Sequence, residues 1–132
     1  MRRRAGLSIV AGLLLATAAG CDPTCDELED DAFGLREKHA RCVEGDSCQT
    51  VQMADYAGAN NCLLAFQCAH ALNANADLEA FGARAREIVA DYRSCNECAQ
   101  AGCTDPETQV AVCNAELGSC ELQEDPDAGS GE

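Results

Sequence analysis

Cys25, Leu28, Ala32, Leu35, His39 and Cys42 recur at spacings of 3, 4, 3, 4 and 3 residues, which places all six on one face of a helix. Thr24 precedes the stripe and Glu27 stands three residues on, the pattern of a capping box. Asp26, Glu27, Glu29, Asp30 and Asp31 crowd the start, and Arg36, Lys38 and Arg41 the end, both favourable to the helix dipole. Leu78, Phe81, Ala85, Ile88, Tyr92 and Cys95 repeat the spacing behind Asn75 and Asp77, either of which can cap. Cys103, Pro106, Val110, Cys113, Leu117 and Cys120 repeat it again, with Asp105 and Pro106 as N-cap and first helical residue and Gly118 as a stop.

Between the first two stripes, Cys62 to Leu72 is apolar nearly all round and predicts a buried central helix capped by Asn61. Gln49 to Ala57 has poor periodicity and predicts at most a short helix. Glu121 to Glu132 (ELQEDPDAGSGE) is acidic with one leucine and predicts a disordered tail. The expected fold is therefore all-α: a small disulfide-stapled bundle of about four short helices with a disordered acidic C-terminal tail.

Composition narrows the class. The chain has 132 residues, five aromatics, no Trp and eleven cysteines. Its formal charge of -14 opposes association with nucleic acid. The cysteine density fits a secreted scaffold held by disulfides, because so few large side chains make a thin core.

The N-terminus supplies an address. Arg2, Arg3 and Arg4 precede the uncharged thirteen-residue run Leu7 to Ala19, the charged and apolar parts of a secretory signal. At 1.5 Å per residue that run reaches roughly 20 Å as a helix, short of the ~30 Å hydrocarbon core. Ala18-Ala19-Gly20-Cys21 follows, and these residues resemble the lipobox of bacterial lipoprotein precursors, with Ala18 where that family usually has leucine. The resemblance covers the first 21 residues. It implies cleavage between Gly20 and Cys21 and a diacylglycerol on the Cys21 thiol, hence a membrane contact through lipid. Asp22 resembles the inner-membrane retention signal of some bacteria, a rule that differs between lineages. A competing reading is an ordinary secretory cut after Ala18 or Gly20, leaving Cys21 unmodified. The expected organisation is a signal peptide over 1–20, a lipidated start and short linker over 21–24, a cysteine-rich domain over 25–120 and the tail over 121–132.

Cysteine parity points the same way. With Cys21 acylated, Cys25, Cys42, Cys48, Cys62, Cys68, Cys95, Cys98, Cys103, Cys113 and Cys120 form an even set for five bridges. Their connectivity is open among about 945 pairings. Loss of the leader also removes three arginines, leaving a net charge near -17.

Other chemistry is weaker. Cys95-Asn96-Glu97-Cys98 is a C-x-x-C, but it lies at the expected end of a helix, where the dipole does not favour a thiolate. Cys95, Cys98 and Cys103 with His39 or His70 have metal-ligand chemistry without a paired knuckle spacing. Asp26 to Asp31 lacks the loop pattern of a calcium site. No cofactor, metal or catalytic residue is therefore expected. The expectation is a non-enzymatic lipoprotein of the cell envelope, a binding or structural surface component with a possible envelope protein partner. The alternatives are an exported thiol oxidoreductase using Cys95 and Cys98, and a non-lipidated secreted effector.

Overall fold

A computed structural model describes residues 23–127. Helix α1 spans Cys25–Ala40 and helix α3 spans Leu78–Tyr92, with a short helix α2 at Met53–Ala57. Strands β1 (Cys48–Gln52) and β2 (Ala69–Asn73) form one antiparallel pair, and β3 (Gln109–Asn114) and β4 (Ser119–Glu124) form a second. Single 3-10 turns occupy Leu64–Phe66 and Pro106–Thr108. The fold is thus mixed α and β, and the expectation of an all-α bundle of four helices is overturned.

The first two stripes fold as expected, as α1 and α3. Thr24 accepts the Glu27 amide at 3.2 Å while Glu27 accepts the Thr24 amide at 3.1 Å, so two helix-end donors are satisfied reciprocally. Asp77 caps α3 by accepting the Ala80 amide at 3.0 Å. The two helices pack together, and α2 lies on α3. Phe81, fully buried on α3, is the centre: His39, Tyr56 and Phe66 meet its ring edge-on, with centroids 5.2, 6.2 and 5.9 Å away. Leu28 and Ala32 from α1, Met53 from α2, Leu72 from β2 and Ala85 and Ile88 from α3 complete the packing.

The other two segments do not. Cys62–Leu72 splits into the Leu64–Phe66 turn and strand β2, paired with β1 in the register Cys48↔Asn73 to Gln52↔Ala69. The Cys103–Cys120 stripe becomes the hairpin β3–β4, in which Cys113 stands directly opposite Cys120. A separation of seven residues fits two helical turns, but it also fits facing positions across a short hairpin loop. The local sequence decides for the hairpin. Val110 and Val112 are β-branched, Ala111, Cys113, Cys120 and Leu122 alternate onto the packed face, and Gly118 takes the positive φ of 67° that the turn requires. The expected tail is corrected with it: Glu121–Glu124 belongs to β4, Leu122 packs against the core, and the Asp125 amide donates to the Thr108 carbonyl at 2.8 Å. The folded unit therefore runs past residue 120.

The two strand pairs pack on each other, β1 beside β3 and β2 beside β4, and α1 lies against β2 and β4. Five disulfides fasten the layers: Cys25–Cys95, Cys42–Cys113, Cys48–Cys120, Cys62–Cys98 and Cys68–Cys103. Each joins one of the first five of these ten cysteines to one of the last five. Their Cα separations of 4.6 to 6.0 Å lie in the range such bridges span. Five bridges suit an oxidising compartment outside the cytosol. Among the described residues no helix is long and apolar enough to cross a membrane.

Candidate functional site

The segment from Arg93 to Asp105 has no regular structure, and its position comes from three bridges and one amide. Cys95, Cys98 and Cys103 tie it to Cys25, Cys62 and Cys68. Between them the Gln67 side chain acts as a strand would: its Nε2 donates to the Ala99 carbonyl at 2.8 Å, and its Oε1 accepts the Ala101 amide at 2.7 Å. Gln67 Nε2 also donates to the Asn61 carbonyl at 3.2 Å, which joins this segment to the loop before it.

Asn61 holds that loop. Its side chain is buried, and it donates to the carbonyls of Gly58 (2.7 Å) and Phe66 (3.0 Å) while accepting the Leu63 amide (3.1 Å). A buried amide so saturated fixes the backbone around it instead of binding a ligand. The chain from Ala57 to Leu63 then forms one wall of a cavity of about 400 Å³, with Val89, Tyr92 and Arg93 of the α3 end opposite. A smaller space of about 230 Å³, which shares Ala59, Asn60 and Asn61, continues towards Gln100 and Cys103. The groove thus presents amides and one cation beside an apolar floor, which suits a small polar ligand or a length of peptide. Nothing in the sequence stripes pointed to it, because its walls are loops placed by long-range bridges. The one legible sign was the polar cluster Gly58-Ala59-Asn60-Asn61.

The residues considered for redox or metal chemistry are dispersed. Cys95 and Cys98 are bonded to different partners on different elements, so the C-x-x-C is not a dithiol pair. Cys103 is in a third bridge, to Cys68; His70 lines the same pocket as that bridge, whereas His39 lies apart on α1. His39 Nδ1 donates to the Leu35 carbonyl at 2.9 Å on α1. His70 Nδ1 accepts the Ala71 amide at 2.7 Å, and burial, reinforced by the Arg36 charge, pushes its imidazole down to about 4. The acidic start of α1 is spread round the helix: Glu27 closes the cap, Glu29 accepts the Tyr92 hydroxyl at 2.7 Å, and Asp31 lies 4.0 Å from Arg84. The bond to Glu29, with burial behind it, pushes the Tyr92 phenol up to about 12.

Arg36 is the least compensated group. Burial lowers its pKa, its Nε is buried without a hydrogen-bond partner, and its guanidinium rests 5.0 Å above the Phe33 ring while Nη1 donates to the Ala65 carbonyl at 3.3 Å. Among the described residues, the Sγ atoms of Cys42, Cys48 and Cys120 come within 4.8 Å of one another. All three are in bridges, so none offers a thiolate to a metal. Cys21, the expected lipid attachment, lies outside the described residues. Comparison with protein-family models, curated proteins and solved structures returns no match.

Proposed function

We propose that the chain is a cysteine-rich lipoprotein, held at the bacterial cell envelope through Cys21 and acting as a binding or structural surface component. The observation that carries this reading is the pairing of the cysteines. Ten of the eleven are consumed by five bridges, and the one left over is Cys21, directly behind the small residues of the leader. A free thiol in an oxidising compartment is a liability, and acylation removes it. A diacylglycerol carries two chains, enough to hold a protein stably at about 0.8 kcal/mol per buried CH₂.

The anchor also orients the domain. Cys25 is four residue steps from Cys21, a reach of at most about 14 Å, so the Cys25–Cys95 end and the groove beside Arg93 face the lipid. Helix α1 then leads about 24 Å away, to Arg41 and its bridge partner Ser119 in the hairpin. The outward end carries Val43 and Leu117, 69% and 72% exposed, as apolar contacts for another envelope component.

Growth with a labelled fatty acid is expected to mark the protein, and Cys21→Ser to abolish the label while leaving the five bridges in place. Label that survives the substitution, or a mature N-terminus other than Cys21, overturns the reading. An unlabelled wild-type protein with a free Cys21 would instead identify a secreted effector.

A further inference from the structure

Two of the five bridges lie against each other. Cys42 leaves the end of α1, Cys48 opens β1, and Cys113 and Cys120 face each other across the hairpin β3–β4. The bridges run Cys42–Cys113 and Cys48–Cys120, and the Sγ atom of Cys42 is within 4.8 Å of both sulfurs of its neighbour bridge. These four cysteines have two other complete pairings, and the one that leaves the hairpin bonded only to itself is Cys42–Cys48 with Cys113–Cys120. For Cys42–Cys48 the two sulfurs already stand no more than 4.8 Å apart. Cys113–Cys120 joins residues directly opposite on antiparallel strands, whose side chains share one face and whose Cα atoms are about 4.5 to 5.5 Å apart, inside the range a disulfide spans.

We propose that this sulfur cluster is a thiol-triggered isomerisation site: a small thiol converts Cys42–Cys113 and Cys48–Cys120 into Cys42–Cys48 and Cys113–Cys120, and so unties the hairpin from the rest of the domain. Cys42 and Cys120 are buried, while Cys48 and Cys113 are partly exposed, so an incoming thiolate meets Cys113 at the surface. Attack on the Cys113 sulfur breaks its bond to Cys42, forming a mixed disulfide and releasing the Cys42 thiolate. That thiolate attacks Cys48, which forms Cys42–Cys48 and expels the Cys120 thiolate. Cys120 then attacks the mixed disulfide at Cys113, which forms Cys113–Cys120 and returns the external thiolate. Two disulfides enter and two leave, no net oxidation occurs, and the thiol is regenerated.

The consequence is local. Cys42–Cys113 and Cys48–Cys120 are the hairpin's own covalent ties to the rest of the domain, and the exchange removes both. Hairpin β3–β4 would then rest on its packing, on the Cys42 amide donating to the Gly118 carbonyl at 3.0 Å, and on the pairing of Arg41 with Ser119. The other three bridges lie outside the cluster and keep their partners.

A glutamate-specific protease reads the exchange, because Glu44 separates Cys42 from Cys48 and Glu116 separates Cys113 from Cys120. The oxidised, full-length mature protein is incubated with a sub-stoichiometric amount of reduced glutathione, quenched in acid, alkylated and digested. The expected product is a linked pair of peptides carrying Cys113 and Cys120, with free protein thiol no greater than the glutathione added and with faster amide exchange in residues 109–124. Native linkages throughout, or reduction without re-pairing, overturn the proposal. The double variant Cys42→Ala with Cys48→Ala keeps only the hairpin pair of the cluster. It is expected to contain a Cys113–Cys120 bridge and to lack free thiols at those positions, whereas two alkylatable thiols there would sink the idea. If that variant does not fold, the glutathione experiment on the wild-type chain decides alone.

Discussion

His70 shows how a single side chain couples to solution conditions. Its imidazole is held well below the ordinary value, at about 4, by burial and by the Arg36 charge, so the native state binds that proton more weakly than the unfolded chain does. The stability this contributes is therefore fully present above about pH 6.5 and is lost as the pH falls towards 4. Solvent screening limits the effect to roughly 1 to 3 kcal/mol. Unfolding midpoints between pH 7 and 4 are expected to fall more steeply in the wild-type protein than in His70→Gln, and parallel curves would contradict this. Asn61 behaves differently, since no charge is involved and its loss strands the Leu63 amide and the Gly58 and Phe66 carbonyls. Asn61→Ala is expected to cost about 2 to 4 kcal/mol in denaturant unfolding. These roles were only half visible in the sequence. Asn61 read as a helix cap because it precedes an apolar run, and it does hold the start of that run, but as the hub of a loop.

Among the elements, α1 and α3 were legible because each announces itself twice, by a stripe over four turns and by a capping residue at its start. The segments that misled also offer cap signals, Asn61 before one and Asp105 with Pro106 in the other, but no clean apolar stripe behind them. Cys62–Leu72 is apolar on every side, and a short apolar run fits a buried strand as well as a helix. In Cys103–Cys120 four of the six stripe residues are cysteine or proline, placed for bridges and turns, and the alternation of Ala111 with Cys113 and of Cys120 with Leu122 was the better guide. The correction changes what truncation should do. Deleting 121–132 removes four of the six ladder positions of β4 and the packing of Leu122, so a large fall in the thermal midpoint is expected, by ten degrees or more at about 4 to 8 °C per kcal/mol for a domain of this size. A shift of only a few degrees would mean that the bridge at Cys120 holds the hairpin without its second strand.

On the scale of the whole molecule, cross-links take over what a thin core cannot supply. The described core is rich in alanine, and its fully buried large side chains are few. Each native bridge in a small domain is worth roughly 2 to 5 kcal/mol, against a usual net stability of about 5 to 15 kcal/mol. Full reduction is expected to abolish cooperative unfolding by circular dichroism at physiological temperature, and a reduced protein that still melts cooperatively would show that helix packing dominates. The groove beside Arg93 belongs to this scale too. Its walls come from residues about thirty positions apart, joined through bridges such as Cys62–Cys98, and no pattern of neighbours along the chain encodes such a juxtaposition.

The crossing of every bridge from the first five bonded cysteines to the last five also sets a timetable. A chain leaving the cytosol N-terminus first presents Cys25, Cys42, Cys48, Cys62 and Cys68 with none of their native partners yet outside. No correct bond can close until Cys95 emerges, and the last must wait for Cys120. An oxidant acting during that interval can only make wrong pairs among the early thiols, so maturation depends on late oxidation or on an enzyme that reshuffles mispaired cysteines.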